Sequence, residues 1–575
     1  RVFHAGRLVA RGRRAADGRL MGADGSAGTA LRPLTEAQEG LWYFQALDPS
    51  NPILNTGQYL ELAGPLDLPA LREALARTLT ETEALRLRFT ATPDGPRQWL
   101  SDDLPPVTEL DLRDHPDAEA EALRRMRQDS DRATDLAAEP VAAFALFRLP
   151  AGRILLYERI HHLAIDGYGM VLVTNRIGQH YGHLTGQGPA PLPFPPLTRA
   201  DEEDAVRRIS ARRAEDAAWW KTALADLPEV TRPGTLAGER AVSGSTFRRK
   251  SLWLPKALTA RLAEFSEANG LAWPEVLTGL AGAWLARWSG GETVIGTPFM
   301  ARMGRRIARL PCMAMNVLPL HLRPDEDAPL ADWLHEAAAK MREARRHGLY
   351  RSEQLRRDLA LVGGTRRLYG PLVNVQPFDR PPVFPGLTVR LHILGAGAVD
   401  DLTFTFRGDP QSGLLFETDA NPALYPAEEV SAHSARLVAF LDAALAAGRL
   451  ADVPTAAPED IAAQDARQAA AVHPLPETTL VEMIAENLAA RPDAPALSYG
   501  NTALDYAALD RRTAALAGAL AARGAGPARI VAVALERGLD LPVALLAVMR
   551  AGAAYLPLDP DHPPERLARI LALAQ

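Results

Sequence analysis

The chain has 575 residues, enough for several packed cores, and its 47% apolar and 23% charged residues are the balance of a globular protein. A net charge of −6 gives no electrostatic reason to expect nucleic acid or an anionic membrane surface as a partner. One cysteine, Cys312, excludes an intramolecular disulfide framework and a multi-cysteine metal site and fits a reducing cytoplasm, and no stretch reaches the ~18 apolar residues of a membrane helix.

Residues 1–30 are arginine-rich, lack an apolar targeting core and read as a linker or tail. A helix is expected over 33–47, opened by Thr35 with Gln38 three positions on. Tyr59–Leu62 alternates like a strand and stops at Gly64-Pro65; Leu71, Leu75 and Leu79 repeat at helical spacing, and Ala84–Phe89 reads as a strand. Val141–Arg148 and Arg153–Ile160 flank Pro150-Ala151-Gly152 as a hairpin would. From Gly167, the 3–4 spacing of Met170, Val173, Ile177, Tyr181 and Leu184 predicts a helix.

The proline-rich stretch 185–200 predicts an extended connector to a second lobe. That lobe is expected to hold a helical run Arg207–Leu227, two helices within Leu258–Trp288, strands at Val317–Leu322 and Leu402–Phe406, and a closing helix Glu428–Ala447. Residues 448–476 lack periodicity and read as linker, and a new αβ pattern starts at Thr479.

The chemistry-bearing stretch is Tyr157–Gly167, which ends in His161-His162-Leu163-Ala164-Ile165-Asp166-Gly167 where a strand gives way to a helix. A histidine can accept or steer the proton of an attacking amine or hydroxyl, and a glycine at a helix start lets an acyl group approach backbone N–H donors. Adjacent strand residues face opposite ways, so one histidine faces the reaction and the other packs. Two core histidines hydrogen-bonded at a turn would be the alternative without chemistry.

In this stretch the chain resembles the condensation domains of nonribosomal peptide synthetases. The segment His161–Gly167 matches their HHxxxDG signature. Leu34–Trp42, Glu83–Phe89, Asn316–Pro319 and Tyr369–Val375 resemble further family motifs, in order, over about residues 31–455. The resemblance implies an α/β, two-lobed, V-shaped chloramphenicol acetyltransferase-like pseudo-dimer with a tunnel, its lobes at 31–190 and 191–455. His162 would then be the active-site histidine, with His161 and Gly167 beside the reaction. Asp166 would be a structural anion paired with Arg302. After a linker at 456–476, Leu504–Leu509 and Leu546–Pro560 resemble the opening motifs of an adenylation domain, an acyl-activating α/β fold, over 477–575. Its phosphate-holding loop is absent from the sequence, so no adenylation is expected of this chain.

The implied reaction is amide-bond formation between an acyl, aryl or peptidyl thioester and an aminoacyl acceptor, with no metal and no cofactor bound by the chain. The 4′-phosphopantetheine arms of an upstream donor carrier protein, acting in trans, and of the downstream carrier domain would tether the substrates. The order of domains, His347–Gln354 and Val399–Leu402 resemble enterobactin-type siderophore modules. An acyltransferase acting on a free amine or alcohol, and a non-catalytic carrier-docking module, are the competing readings. Trp42, Trp219 and Trp220 are expected to pack rather than touch substrate.

Overall fold

The computed structural model describes residues 31–574 except 231, 235–244, 362–366, 379, 396 and 476, together with the backbone of 13–14 and 20–21. The remainder of the expected tail at 1–30 lies outside the described residues. The chain divides into two units, Arg1–Ile461 and Ala462–Gln575.

The first half of unit one is built from α1 (Glu36–Leu47), β1 (Asn55–Ala63), α2 (Leu68–Glu81), β2 (Leu87–Thr92), β3 (Gly95–Leu100), β4 (Val107–Asp111), α3 (Ala118–Ser130), β5 (Ala142–Arg148), β6 (Ile154–His161) and α4 (Gly167–Leu184). Thr35 and Gln38 close a capping box at the start of α1. Asp67 caps α2 by accepting from the Ala70 amide at 2.9 Å. The strand expected at Ala84–Phe89 begins later, because a 3₁₀ turn occupies Glu83–Arg86 before β2.

The second half adds α5 (Thr198–Arg208), α6 (Ala211–Ala223), β7 (Arg248–Trp253), α7 (Lys256–Ala268), α8 (Trp273–Arg287), β8 (Thr293–Phe299), β9 (Asn316–Leu322), α9 (Leu330–Arg346), α10 (Ser352–Asp358), β10 (Leu372–Gln376), β11 (Thr388–Gly395), β12 (Leu402–Asp409), β13 (Gly413–Ala420) and α11 (Ala427–Ala446). The single helical run expected at Arg207–Leu227 is broken at Ile209-Ser210, where the Ser210 hydroxyl accepts from the Arg213 amide and starts α6. Its upstream part, α5, starts before Arg207, on the heels of the prolines.

Two sheets organise these elements. The first runs β11-β1-β6-β5-β4 and the second β7-β13-β12-β10-β8-β9. Leu60, Leu71, Leu156, Ile160 and Ile177 close the first core between sheet and helices. Leu280, Trp284, Ile295, Trp333, Phe404 and Leu437 close the second.

The second half also reaches back into the first lobe. Strand β11 pairs antiparallel with β1, Leu391 opposite Leu60. Ile307, Leu310, Cys312 and Phe384 are buried in the first core. Gly178 of α4 lets the chain cross there: a Cβ on it would lie 2.4 Å from the Val383 carbonyl oxygen.

The stretch 448–476 is not wholly irregular, because α12 (Pro458–Ala471) runs through it with no buried residue. Its alanines favour a helix without writing an apolar stripe, so periodicity is silent there. Arg436 of α11 holds its first turn through Asp460 at 2.7 Å. Unit two then follows as α13 (Leu480–Ala490), β14 (Pro495–Tyr499), β15 (Thr502–Asp505), α14 (Tyr506–Ala521), β16 (Ile530–Ala534), α15 (Asp540–Arg550), β17 (Ala554–Leu558) and α16 (Pro564–Ala574). Strands β16 and β17 pair in parallel, as a crossover through α15 requires.

The two contexts of a helical glycine give opposite expectations. Gly178→Ala forces backbone against backbone and should destabilise unit one by about 1–3 kcal/mol. Gly518→Ala in α14 meets nothing within 4 Å and should stabilise unit two by up to ~1 kcal/mol. Urea unfolding of the two variants, each read on its own unit's transition, checks the pair of signs.

Candidate functional site

Strand β6 ends at His161, and the backbone then turns through Leu163–Ile165 into α4. The turn is held on both sides: the His161 amide donates to the Val141 carbonyl and the His162 amide to the Leu54 carbonyl, each at 2.7 Å. The two imidazoles diverge from this anchored backbone.

His161 is buried. Its Nδ1 accepts from the Leu163 amide at 3.2 Å, so its proton sits on Nε2, which faces Gln45 Oε1 at 3.2 Å. Gln45 is in turn held by the carbonyls of Asp48 and Asn51. Burial first, then the His162 and Arg159 charges, depress the His161 pKa to about 3. It is a neutral strut.

His162 is half-buried and lines a cavity of about 770 Å³ between the two lobes of unit one. Burial lowers its pKa, opposed by the Asp166 charge and by the backbone of His162 and Ile165. Nδ1 is sealed from solvent, while the Nε2 edge reaches toward Gly397. A Cβ at Gly397, whose φ is +101°, would stand 3.0 Å from the His162 Cδ2, so only glycine leaves the ring its place. The neutral imidazole therefore presents Nε2 to the cavity.

Asp166 does not face the cavity as an acid or base. Its Oδ1 caps α4 by accepting from the Gly169 amide at 2.9 Å, and its Oδ2 accepts from the amides of Ala314 and Met315, each at 3.0 Å. Arg302 Nη2 donates to both oxygens at 2.8 Å. Arg302 is itself enclosed: Nη1 donates to the Leu310 carbonyl at 2.6 Å, and Nη2 also reaches the Cys312 carbonyl. Burial opposes its charge, but Asp166 and Cys312 outweigh that and hold its pKa raised. The guanidinium also lies 5.6 Å from the Tyr168 ring centroid.

Gly167, at the first turn of α4, is exposed to the cavity, with Tyr168 edge-on to Phe378 at 5.2 Å beside it. Among the described residues the amides of Gly167 and Tyr168 have no acceptor, as the first turn of a helix leaves them. Of the remaining family-like stretches of unit one, Leu34–Trp42, Asn316–Pro319 and Tyr369–Val375 reach the same cavity, whereas Glu83–Phe89 packs in the first core. Asn316 donates to the carbonyls of Gly348 and Tyr350 at 2.9 and 2.8 Å, fixing the segment 347–351 beneath it. Trp219 stacks on His347 at 4.3 Å and Trp220 donates to the His347 carbonyl at 2.9 Å. Both tryptophans pack, and neither lines the cavity. Among the described residues no group of three His, Cys, Asp or Glu could hold a metal ion, and no helix is long and apolar enough to cross a membrane.

Charge divides the cavity. Among its lining residues before residue 272, Asp166 alone is charged, and it is neutralised by Arg302. The later ones include Glu353, Asp400, Asp419, Arg345, Arg356 and Arg407. Sequence reasoning missed Gln58, Gly397 and this charged wall. Gln58 had left a trace, as a polar residue on the strand face that also carries Leu60 and Leu62.

Residues 30–453 match the family model of the condensation domain and residues 484–575 that of the AMP-binding enzyme. The chain is 38% identical over 555 residues to an isonitrile lipopeptide synthase of Streptomyces coeruleorubidus, covering 94% of the chain and 37% of that protein. It is 34% identical over 546 residues to a dimodular nonribosomal peptide synthase of Bacillus subtilis (strain 168), covering 94% and 23%. It is 32% identical over 552 residues to enterobactin synthase component F of Escherichia coli (strain K12), covering 94% and 42%. The chain thus spans between about a quarter and two fifths of the length of these relatives. The first condensation domain of the calcium-dependent antibiotic synthetase, solved with a substrate analogue, superposes with a TM-score of 0.67 at 31% identity, over 75% of this chain and all of that one. The starter condensation domain of rhizomide synthetase RzmA gives 0.64 at 30%, over 75% and 100%. The chain belongs to the condensation-domain family of nonribosomal peptide synthetases, with its two-lobed chloramphenicol acetyltransferase-like fold, followed by the N-terminal part of an AMP-binding domain.

Arg302→Met leaves Asp166 buried without its counter-charge and should cost unit one about 3–5 kcal/mol in urea unfolding. His161→Asn should cost ~1–2 kcal/mol at pH 7. The folded-state pKa of His161 lies below its unfolded value of 6.5, so between about pH 6.5 and 3 the unfolded wild type takes a proton the folded one refuses. Wild-type stability is lost across that window and the variant lacks this loss. The stability gap between them should narrow on acidification, as measured by urea unfolding at pH 7 and 5.

Proposed function

We propose that this chain joins a carrier-bound acyl, aryl or peptidyl thioester to the amine of a carrier-bound aminoacyl thioester, with His162 as the group that positions the amine and takes its proton. The observation that carries this reading is a neutral imidazole whose Nε2 faces a cavity at the first turn of a helix with two unsatisfied amides. An α-amine with a pKa of about 7.7–8 is roughly a tenth neutral at pH 7, so positioning matters more than strong base catalysis. The amine lone pair attacks the thioester carbonyl carbon and the C–N bond forms. The oxygen takes the negative charge toward the amides of Gly167 and Tyr168. As the oxyanion collapses the C–S bond breaks. The proton shed by the new ammonium passes to His162 Nε2 and from there to the departing thiolate, so the products are an amide and a free thiol.

In this proposal His161 holds the strand end, and Asp166 with Arg302 holds the turn that aims His162 and Gly167. The lobes occupy 31–190 and 191–455, a linker 456–476 and the adenylation part 477–575. The substrates ride on 4′-phosphopantetheine arms, the donor on a carrier protein supplied in trans and the acceptor on the downstream carrier of the same synthetase, in the cytoplasm. The enterobactin synthase relative supports a siderophore product.

Single-turnover reactions with loaded donor and acceptor carriers, read by intact mass, test the proposal. The acceptor should gain the donor acyl group, and His162→Ala should slow this about 10²–10⁴-fold. No transfer across a panel of donors overturns the reading, and equal transfer to a free amine without the acceptor carrier favours a simple acyltransferase. Because burial lowers the His162 pKa, the histidine stays neutral and competent below the ordinary value near 6.5. The acid limb of kcat/KM due to His162 should therefore lie below pH 6.5.

A further inference from the structure

The face of β1 and β6 turned toward α4 carries Leu60, Leu62, Leu156 and Ile160, yet Gln58 and Glu158 stand opposite each other on that face. Glu158 is fully buried. Gln58 Nε2 lies 2.9 Å from Glu158 Oε2 and 2.8 Å from Thr174 Oγ1. Thr174 Oγ1 lies 2.7 Å from the same carboxyl oxygen and 2.9 Å from the Met170 carbonyl.

These four contacts require four hydrogens. An ionised Glu158 leaves three, two on the Gln58 amide and one on the Thr174 hydroxyl. Turning the Gln58 amide around, so that its oxygen faces inward, leaves only the hydroxyl proton and a carboxyl proton. All four contacts are filled in one way: the Gln58 nitrogen inward, the Glu158 carboxyl protonated and donating to Thr174, and Thr174 donating to the Met170 carbonyl. Burial independently pushes the Glu158 carboxyl up to about 7, against the lowering effect of its Thr174 and Gln58 hydrogen bonds.

The same count fixes the other end of the amide. With both Nε2 hydrogens used inward, Gln58 Oε1 is left as an acceptor, and Gln58 lines the cavity with Met170, Val171 and Ile393. Its depth can be estimated twice. Asn55 pairs with His161 and Gln58 with Glu158, three residues along the strand, or ~10 Å. Thr174 stands seven residues into α4 from Gly167, again ~10 Å.

We infer that Gln58 is a positioning residue whose Oε1 accepts a hydrogen bond from a secondary amide N–H of the bound thioester, roughly 10 Å from the reacting carbonyl. This rests on the acyl-transfer reading above. Two parts of a thioester could supply that N–H: the pantetheine tether, or an acyl group that already contains an amide, as a peptidyl or N-acylaminoacyl donor does. Glu158 and Thr174 act through Gln58 by denying its amide the flipped orientation.

The test uses steady-state amide formation by the full chain with matched donors. One pair carries a simple acyl group on pantetheine, with the tether amide intact or replaced by an ester. The other carries an N-acylaminoacyl group or its ester counterpart. Wild type should show an apparent KM about 3–10-fold higher for the surrogate that lacks the matching N–H, with kcat within twofold, and the pair that responds identifies the source. Gln58→Met should raise KM by the same factor for the N–H donor and remove the discrimination. Wild type that turns over both pairs without discrimination overturns the proposal even if the variant fails to fold. So does a Gln58→Met chain, folded by thermal melt, that penalises every donor alike. Failure of wild type to form any amide instead overturns the acyl-transfer reading.

Discussion

The site depends on one buried ion pair. Asp166 accepts five hydrogen bonds, from the Gly169 amide, the amides of Ala314 and Met315, and twice from Arg302. Each partner belongs to a different piece of local structure: the start of α4, the strand-entry segment before β9, and the loop after β8. A buried carboxylate is costly unless its lone pairs are met, and the same saturation that removes the cost fixes three backbone segments against one another. The pair is valuable as a specifier of geometry rather than as a net source of stability. Once the turn before α4 is fixed, the orientation of His162 and the open first turn at Gly167 follow.

The lobes are joined by exchange. Strand β11 leaves the second half to extend the first sheet, and the segment containing Ile307, Leu310 and Cys312 buries itself in the first core on the way to the Asp166 contacts. The cavity thus has one wall from each half, and the halves are tied together through β11 and the 307–312 segment. The second wall is the polar face of a sheet whose other face is core. Along that sheet Arg249 pairs with Asp419 at 2.6 Å and Arg407 with Glu417 at 2.7 Å. The buried carboxylates of Glu417 and Asp419 on that face are each met by a guanidinium, as the burial of charge requires.

Much of this was legible from local pattern. The α1 capping signal, the β5–β6 hairpin and the α4 stripe state their structure within a few residues, and the histidine-to-glycine stretch stands at their junction. The rest is set by partners far away in sequence. That β11 belongs to the first sheet depends on a register with β1 more than three hundred residues earlier. The Ala84–Phe89 strand and the Arg207–Leu227 helix were misjudged at their boundaries, where a 3₁₀ turn and a serine cap decide by hydrogen bonds that apolar periodicity does not record. Helix α12 was missed because alanine raises helix propensity without marking a face. Arg302 could be named through the family resemblance, whereas Gln58 lies outside the stretches that carry it, and Gln58 and Glu158 become meaningful only when the register sets them side by side.

The charges around His162 suit the chemistry proposed for it. An anion left free beside the acceptor would hold its amine in the ammonium form, which has no lone pair to attack with; a free cation would hold the histidine's proton off but repel the ammonium on its approach. The first-lobe wall avoids both. His161 is kept neutral by burial and by its bond from Leu163, Glu158 is neutral by proton count, and Asp166 is cancelled by Arg302. His162 is the basic side chain on that wall, beside the Tyr168 phenol, and its own pKa is lowered. A wall made electrically silent in this way leaves the approach of an amine to the balance between its own pKa and that of one imidazole.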